Sequence, residues 1–226
     1  MTSQGFRHSI PVTAVSAAAA ALALGYAQLA LPEQPLISDY VLVSGGLVPV
    51  VLGMLSFAVA CLSLAYGLAV HEPARTAATR VLLLAAAGGL MLTAVFPTDP
   101  GGGALNTWPG EIHRWAAAVV FTTLPVAGWA LARGRATLPR WNLVRAMSAT
   151  SALALAVYLA AHPASVTSSL IGGASYYGLL ERGLVLAEIA LVVVMAAASR
   201  QLRGSATAEP ALSAPEPPAV KARVAA

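Results

Sequence analysis

Residues 40–70 read YVLVSGGLVPVVLGMLSFAVACLSLAYGLAV and contain no charged side chain. A bilayer core about 30 Å thick needs roughly 20 helical residues at ~1.5 Å each, so this stretch is long enough to cross a membrane once. It is longer than one span requires, and its first residues are therefore expected to form an outer loop or the end of a tilted helix. We place the span itself at residues 44–70.

The composition of the whole chain has the same character. Hydrophobic residues make up 58% of the 226 residues, charged residues make up 10%, and the mean hydropathy is +0.75. A soluble domain normally carries about 25% charged residues. The net charge of +4 does not indicate a nucleic-acid partner, because the cations lie between apolar runs instead of forming one patch. The sequence therefore predicts an all-α integral membrane protein surrounded by membrane lipids.

Five further apolar stretches complete a predicted bundle of six transmembrane helices within residues 1–203. The first stretch is longer than the apolar core of a secretion signal, about 7–15 residues, so a retained helix is favoured over a cleaved one. Residues 204–226 are rich in Ala, Pro, Glu and Ser and are predicted to form a disordered tail. The spans are predicted at residues 10–31, 44–70, 81–96, 112–132, 143–161 and 178–199.

The basic residues predict the orientation of this bundle. In a six-span topology, every Lys and Arg except Arg114 and Arg182 falls in the N-terminal arm, in the loops after the second and fourth spans, or in the tail. Short loops rich in Lys and Arg remain on the cytoplasmic side of a membrane. Both termini are therefore predicted to be cytoplasmic, in a cell membrane that we expect to be the bacterial cytoplasmic membrane.

Aromatic side chains near the span ends fit an interfacial belt, in which amphipathic rings lie at the level of the lipid headgroups. The predicted belt residues are Trp108, Trp115, Tyr176 and Tyr177 at the outer boundary and Trp141 at the inner one.

Ionisable residues gather at the predicted outer ends of the third, fourth and sixth helices. FPTDP at residues 96–100 closes the third helix, GEIHRW at 110–115 opens the fourth, and GLLERG at 178–183 opens the sixth. Glu188 follows Glu181 by close to two helical turns, so the two carboxyls share one face. That face is expected to point into the bundle, because a carboxylate facing lipid costs several kcal/mol.

Such a group of residues suits acid–base chemistry. A carboxyl in an apolar site and a histidine near it can hold and pass a proton, and arginine can hold a phosphate or carboxylate of a lipid-like substrate. We predict Asp99, His113 and Glu181 as catalytic residues, and Arg114, Arg182, Glu111 and Glu188 as substrate-binding residues.

The same residue types also suit other roles. His113 with two carboxylates is an accepted zinc set, but no HxxxH or HExxH spacing occurs, so we predict no metal and no other cofactor. Haem is disfavoured because no histidine lies well inside a span. Ion pairs such as Glu181 with Arg114, or Asp99 with Arg182, would alternatively neutralise buried charges and lock three helices together. Residues 165–177, which are polar and uncharged, are either a lid over this site or an ordinary surface loop.

These residues carry a family resemblance. FPTDP at 96–100, GEIH at 110–113 and GLLER at 178–182 resemble the pattern of the prokaryotic membrane family called domain of unknown function 998. The resemblance covers residues 10–200. It implies a six-helix membrane protein whose shared polar residues match Asp99, His113, Glu181 and Arg182, and it implies no particular reaction.

Three functions remain open on the sequence. The first is a membrane enzyme that acts on a lipid or isoprenoid substrate by acid–base chemistry, in a hydrolysis or a cyclisation. The second is a transporter of small solutes or a proton-coupled carrier, although no inverted repeat or pair of broken helices is visible. The third is a non-catalytic membrane scaffold for another protein. We favour the enzyme, because the ionisable groups cluster at one depth.

Overall fold

The computed structural model describes residues 2–100, 107–163 and 165–200, with the side chains of all of these except residues 2–7 and 174. The predicted tail at residues 204–226 lies outside the described residues. Within them the protein is all-helical, with no strand. The helices are α1 (Thr2–Ala30), α2 (Leu47–His71), α3 (Ala77–Val95), α4 (Trp108–Ala132), α5 (Pro139–Ala161), the short α6 (Ser168–Ile171) and α7 (Tyr177–Arg200).

Each predicted span lies on one of the long helices. Helices α3, α4 and α5 begin at residues 77, 108 and 139 instead of 81, 112 and 143. The predicted starts were set after polar or charged residues, whereas a helix can extend to the membrane surface with such side chains on its first turn. For α4 the start is made by Thr107, whose side-chain oxygen accepts a hydrogen bond from the Gly110 backbone N–H at 3.2 Å.

Five helices are long and apolar enough to cross a membrane, which supports the prediction of a membrane protein. They are His8–Ala30 within α1, Leu47–His71, Ala77–Val95, Trp108–Ala132 and Pro139–Ala161. Helix α7 is not among them; its first half carries Glu181, Arg182 and Glu188. The sixth span at residues 178–199 therefore stays a prediction.

Helices that follow each other along the chain pack side by side, and α7 closes the bundle by packing on both α5 and α1. Because α7 also contacts α2 and α4, it is the most enclosed of the long helices. Its residues Leu184, Leu191 and Met195 are fully buried in the core. Polar side chains on the inner face of α7 are consequently shielded from both water and lipid.

Small residues allow two of these helix pairs to approach closely. A Cβ at Gly89 of α3 would lie 2.8 Å from the Ala116 carbonyl oxygen of α4, and a Cβ at Gly53 of α2 would lie 2.7 Å from the Leu24 side chain of α1. A Cβ essentially never lies within 3.0 Å of another non-bonded heavy atom, so the approach of Gly89 to the α4 backbone requires glycine, whereas a Cβ at Gly53 would force the Leu24 side chain to move. This is the close packing expected where lipid provides no hydrophobic drive for helices to associate.

Arginine side chains connect the helices at one end of the bundle. At this end, which we call the basic end, α2 and α4 finish and α3 and α5 begin. Arg135 forms an ion pair with Glu72, and Arg75 donates to the Gly134 carbonyl at 2.8 Å. Arg135 also lies over the ring of Trp141, 4.4 Å from its centroid, and Trp141 is only 2% exposed. The prediction of Trp141 as an interfacial belt residue is wrong, because the ring is buried beneath the cation.

Adjacent glycines on α3 provide a matched test of the helix packing. We expect Gly89→Ala to lower the free energy of unfolding by about 1–3 kcal/mol, because its methyl group is forced against α4. Gly88→Ala should leave stability unchanged or raise it by up to about 1 kcal/mol, since nothing lies within 4 Å of the added Cβ and alanine favours the helix. Thermal unfolding of both variants in mild detergent measures the difference, and equal losses would contradict the packing described.

The ion pair at the basic end predicts a pH dependence. Burial opposes ionisation of Glu72, but the hydrogen bonds and charge of Arg135 outweigh it and hold the pKa of Glu72 below its ordinary value of 4.5. A lowered carboxyl pKa stabilises the folded state above pH 4.5, and this stabilisation is lost as the pH falls through the lowered value. We expect Glu72→Gln to reduce stability at pH 7 by about 1–3 kcal/mol, and the difference from the wild type to vanish as the pH falls below the lowered pKa of Glu72. A difference that persists at acid pH would exclude the ion pair as its cause.

Candidate functional site

A cavity of about 400 Å³ lies inside the bundle, near one of its two ends. At this end, which we call the cavity end, α1, α3 and α5 finish and α2, α4 and α7 begin. Its walls are mainly apolar, with Phe57, Leu90 and Val120 among the lining residues. The cavity brings together five of the seven predicted site residues, namely Asp99, His113, Arg114, Glu181 and Glu188. Glu111 and Arg182 do not line it.

The connection between α1 and α2 folds inward and forms the roof of the cavity. Leu36, Ile37 and Ser38 line the cavity, and Ser38 begins a 3-10 helix, Ser38–Leu42. The Ile37 backbone N–H donates to Glu181 Oε2 at 2.6 Å. Glu181 therefore holds the roof with one oxygen while its carboxylate remains part of the cavity wall.

Arg182 fixes the same roof segment from the other side of α7. Its guanidinium donates to the Gln34 carbonyl at 2.6 Å, the Pro35 carbonyl at 3.0 Å and the Gln28 side chain at 2.6 Å. A Cβ at Gly178 would lie 2.0 Å from the Pro35 carbonyl oxygen, so only glycine lets the segment lie against α7. Arg182 thus acts on the loop, and the ion pair of Arg182 with Asp99 that the sequence allowed does not form.

His113 is buried on the first half of α4 and carries a defined proton arrangement. Its Nδ1 lies 2.8 Å from the Phe96 carbonyl oxygen at the end of α3. Because a carbonyl only accepts hydrogen bonds, Nδ1 is the donor to Phe96, and in a neutral ring Nε2 is then the acceptor nitrogen. The Thr93 carbonyl also adjoins the ring. The residue is therefore arranged as a proton acceptor beside the cavity.

Asp99 has a structural contact in addition to its place in the cavity wall. Its carboxylate accepts from the Thr107 hydroxyl at 2.7 Å and from the Thr107 backbone N–H at 3.2 Å. A Cβ at Gly110 would lie 2.1 Å from Asp99 Oδ2, so glycine is needed for this approach. Asp99 consequently helps to position the start of α4, and with it His113.

Asp39, in the connection between α1 and α2, is a buried acidic residue near the site that the sequence analysis did not single out. It is 3% exposed, and Oδ1 has no hydrogen-bond partner among the described residues, while Oδ2 accepts from the Leu36 N–H at 3.3 Å. Burial raises the pKa of Asp39 above its ordinary value of 3.8, although the Leu36 hydrogen bond and the charges of His113 and Arg182 act in the opposite direction. Its carboxyl is therefore an electrostatic neighbour of the roof and of His113.

Two tyrosines that the sequence analysis did not connect form one wall of the cavity. Tyr177 and Tyr158 stack with ring centroids 4.5 Å apart, and their hydroxyls are hydrogen-bonded at 2.6 Å. Tyr177 is 8% exposed, so its assignment to the interfacial belt is wrong, whereas Trp108 and Trp115 are 80% and 66% exposed as a belt requires. The hydroxyl pair adds proton donors and acceptors to the site.

Glu188 lies deepest in the cavity wall and is fully buried. Neither of its carboxylate oxygens has a hydrogen-bond partner of good geometry among the described residues, and the same holds for the Ser151 hydroxyl of α5 beside it. Cys61 of α2 is also close enough to interact electrostatically with this carboxyl. Glu188 and Glu181 thus share the cavity-facing side of α7, as their spacing predicted.

The lining of the cavity reaches the outside of the bundle along α4 and α5, which we interpret as its opening. Of its lining residues, those that are also exposed on the outside are Arg114, Trp115, Thr122 and Leu159. Toward the basic end the two helices are in contact instead, since a Cβ at Gly128 would lie 2.3 Å from Ser148 Oγ. If the bundle is embedded in lipid, this opening faces the acyl chains, with Arg114 at its edge.

The structure also decides the pairing of Glu181 and the position of residues 165–177. Among the described residues, Glu181 forms no salt bridge with Arg114. The segment at residues 165–177 folds back on the end of α5, where Thr167 and Ser168 donate side-chain hydrogen bonds to the Ala160 and Ala161 carbonyls at 2.6 and 2.9 Å. None of its described residues before Tyr177 lines the cavity, so it is a surface loop.

No metal set is assembled in the described part of the chain. No group of three His, Cys, Asp or Glu side chains lies close enough there to hold a metal ion. The ionisable residues line the same cavity without converging on one point, and the arrangement suits proton transfer and hydrogen bonding.

The burial of Asp39 predicts the effect of neutralising it. A raised carboxyl pKa means that folding is favoured below pH 3.8 and that this advantage is lost as the pH rises through the raised value. We expect Asp39→Asn to unfold at a higher temperature than the wild type at pH 7, because the amide keeps an acceptor for Leu36 without a buried charge. The gain should disappear near about pH 3. A lower unfolding temperature for Asp39→Asn at pH 7 would show that the charge attracts His113 and Arg182 more than burial disfavours it.

Comparison with known proteins identifies a family. The family model described as protein of unknown function (DUF998) matches residues 11–198. No curated protein matches the chain, and no solved structure does. The match extends from α1 to the end of α7 and includes every residue that lines the cavity. The chain therefore belongs to the DUF998 family of proteins of unknown function.

Proposed function

We propose that this protein is a membrane enzyme that transforms an amphiphilic lipid or isoprenoid substrate by acid–base chemistry, in a hydrolysis or a cyclisation. The observation that carries the proposal is the cavity itself, which combines apolar walls with His113, Glu181 and the Tyr158–Tyr177 hydroxyl pair. Sites for small molecules typically combine such walls with a few polar groups in volumes of about 300–1,000 Å³.

The opening between α4 and α5 supports a substrate that arrives from the bilayer. An acyl or prenyl chain passing between the two helices stays in contact with apolar groups such as Leu159, which is 56% exposed. Arg114 at the edge of the opening suits an anionic headgroup, because its guanidinium donates several hydrogen bonds to a phosphate or carboxylate. The reacting part of the molecule then lies inside the cavity.

His113 is the proposed proton acceptor. In a hydrolysis, Nε2 takes a proton from water as the water oxygen attacks the substrate carbonyl or phosphorus, and the proton returns to the departing oxygen. In a cyclisation, a carboxyl such as Glu181 donates a proton to an alkene, and Nε2 removes the proton that the final carbocation loses. Both reactions balance without a metal or a redox partner.

The proposed setting of this chemistry is a bundle of six spans in the cell membrane, with both termini in the cytoplasm. Helix α7, with 24 residues, is long enough for the sixth crossing. The arginines at the basic end, including Arg75 and Arg135, suit the cytoplasmic side. The cavity end then faces outward, and the substrate enters the site from the outer leaflet.

The test is conversion of membrane lipids by the purified protein. Proteoliposomes made from the total lipid extract of the membranes that hold the protein are incubated, and the lipids are followed by mass spectrometry. We expect the wild type to deplete one lipid species and accumulate a product. His113→Asn should slow this at least about hundredfold, since the asparagine amide lies near the position of Nδ1 and can still donate to the Phe96 carbonyl but cannot accept and return a proton.

Glu33→Gln is the matched control, because Glu33 is exposed and does not line the cavity. It should convert lipid at the wild-type rate. Absence of any lipid change with the wild type, or full activity of His113→Asn, would overturn the proposal. If a proton flux across the same vesicles is lost in Glu188→Gln while the lipids stay unchanged, the protein is a proton-coupled carrier instead.

A further inference from the structure

The deep end of the cavity contains a polar layer that the proposed acid–base step does not use. Helices α4 and α7 run in the same direction, from the cavity end to the basic end, and Gly128 lies against Leu191. One helical turn closer to the cavity end, Pro125 of α4 is therefore level with Glu188 of α7. Helix α5 runs the other way, so Ser151 lies one turn closer to the cavity end than Ser148, which also contacts Gly128.

Pro125 adds an acceptor to this layer. Because proline has no backbone N–H, the carbonyl of Phe121 loses its donor within the helix, and this oxygen points toward the level of Pro125 and Glu188. Phe121 itself lines the cavity. The layer thus combines the Glu188 carboxylate and the Phe121 carbonyl, both on residues that line the cavity, with the Ser151 hydroxyl, which adjoins Glu188 without lining the cavity itself.

The layer has more acceptors than donors. Both oxygens of Glu188 and the oxygen of Ser151 are buried without a partner of good hydrogen-bond geometry in the described chain. Of the described side chains that adjoin Glu188, the Ser151 hydroxyl and the Cys61 thiol can donate, and a thiol is a weak donor. Ser151 is close enough to Glu188 for at most one weak hydrogen bond. A carboxyl with so few partners in an apolar interior costs several kcal/mol, so the layer favours a group that brings hydrogen-bond donors and positive charge.

We propose that this layer, formed by Glu188, Ser151 and the Phe121 carbonyl, is a binding subsite for a primary ammonium group on an aliphatic chain. A primary ammonium carries one positive charge and three donors, which matches the carboxylate and the two neutral acceptors. The chain above it lies between apolar lining residues, among them Phe57, Val120 and Val185. The inference rests on the proposed function, since it takes the cavity as a substrate site, and it adds that the substrate is an amine-bearing amphiphile.

The geometry also limits where the rest of the ligand lies. Glu181 precedes Glu188 by close to two turns, a rise of about 10 Å along α7. An aliphatic chain of roughly six to eight carbons therefore extends from the ammonium to the level of Glu181 and His113. A second functional group at that end of the chain would be next to the proposed proton acceptor.

Binding of a matched pair of probes tests the subsite. Hexylammonium and 1-hexanol have the same chain, and only the first carries charge and three donors at neutral pH. Isothermal titration of the full-length protein in lipid nanodiscs should show that hexylammonium binds more tightly than hexanol. Glu188→Gln should weaken the binding of hexylammonium at least about 30-fold and leave the binding of hexanol unchanged, because glutamine has the same size as glutamate but no charge.

Ser151→Ala provides a second variant that keeps the charge. This variant should weaken the binding of hexylammonium about two- to tenfold and leave the binding of hexanol unchanged. Glu33→Gln is the control and should bind both probes as the wild type does. If Glu188→Gln fails to fold, the wild-type preference and the Ser151→Ala comparison still decide the question.

Several outcomes would overturn the inference. Equal affinity for the two probes, or an unchanged affinity of hexylammonium in folded Glu188→Gln, excludes an ammonium subsite. Sodium is tested as a competitor at the same concentration, with choline as a cation that should not compete. If sodium displaces hexylammonium and Glu188→Gln abolishes this sodium binding, the layer is a metal-cation site. If the protein does not prefer the amine but lipid conversion still depends on His113, only the ammonium subsite is overturned. If the protein binds the amine but converts no lipid, only the proposed enzymatic function is overturned.

Discussion

The cavity of this protein depends on how a short piece of backbone between α1 and α2 is held against the first turns of α7. Glu181 accepts the Ile37 N–H, and Arg182 donates to the Gln34 and Pro35 carbonyls. Gly178 leaves room for the contact. A connection that stayed on the surface would leave the top of the bundle open to water. Because the segment folds inward, the polar groups below it lie in an enclosed, largely apolar space, where electrostatic interactions are strong.

The ionisable residues at the cavity end divide into two groups by what they contact. Asp99 and Arg182 use most of their hydrogen-bonding capacity on backbone and neighbouring side chains, and they position α4 and the roof. His113 keeps Nε2 as an acceptor, and Glu188 keeps both oxygens without a partner of good geometry in the described chain. A buried polar group normally finds a partner within the protein, so the second group is where ligand chemistry is expected.

Much of the fold and part of the site followed from sequence patterns. Long apolar stretches predicted all the long helices, since a helix that crosses lipid must be apolar over about 20 residues. The rule that buried carboxyls face the interior placed Glu181 and Glu188 on one side of α7 correctly. Tyr158, which lines the cavity, and Asp39, which is buried beside it, were missed. Asp39 stands in a connection between two helices, where no hydropathy pattern predicts burial, and Tyr158 stands in an apolar helix without a polar neighbour in sequence.

The sequence by itself determined that the chain is helical and membrane-like, which helices it forms, and that a few ionisable residues stand at their ends. Hydropathy and helical spacing are local properties, so a single sequence contains them. Only the tertiary structure decided which of those residues share a cavity, that Arg182 holds a loop instead of pairing with Asp99, and that Pro125 is level with Glu188. These outcomes depend on the register between helices, which is set by packing contacts such as Gly128 against Ser148 and Leu191.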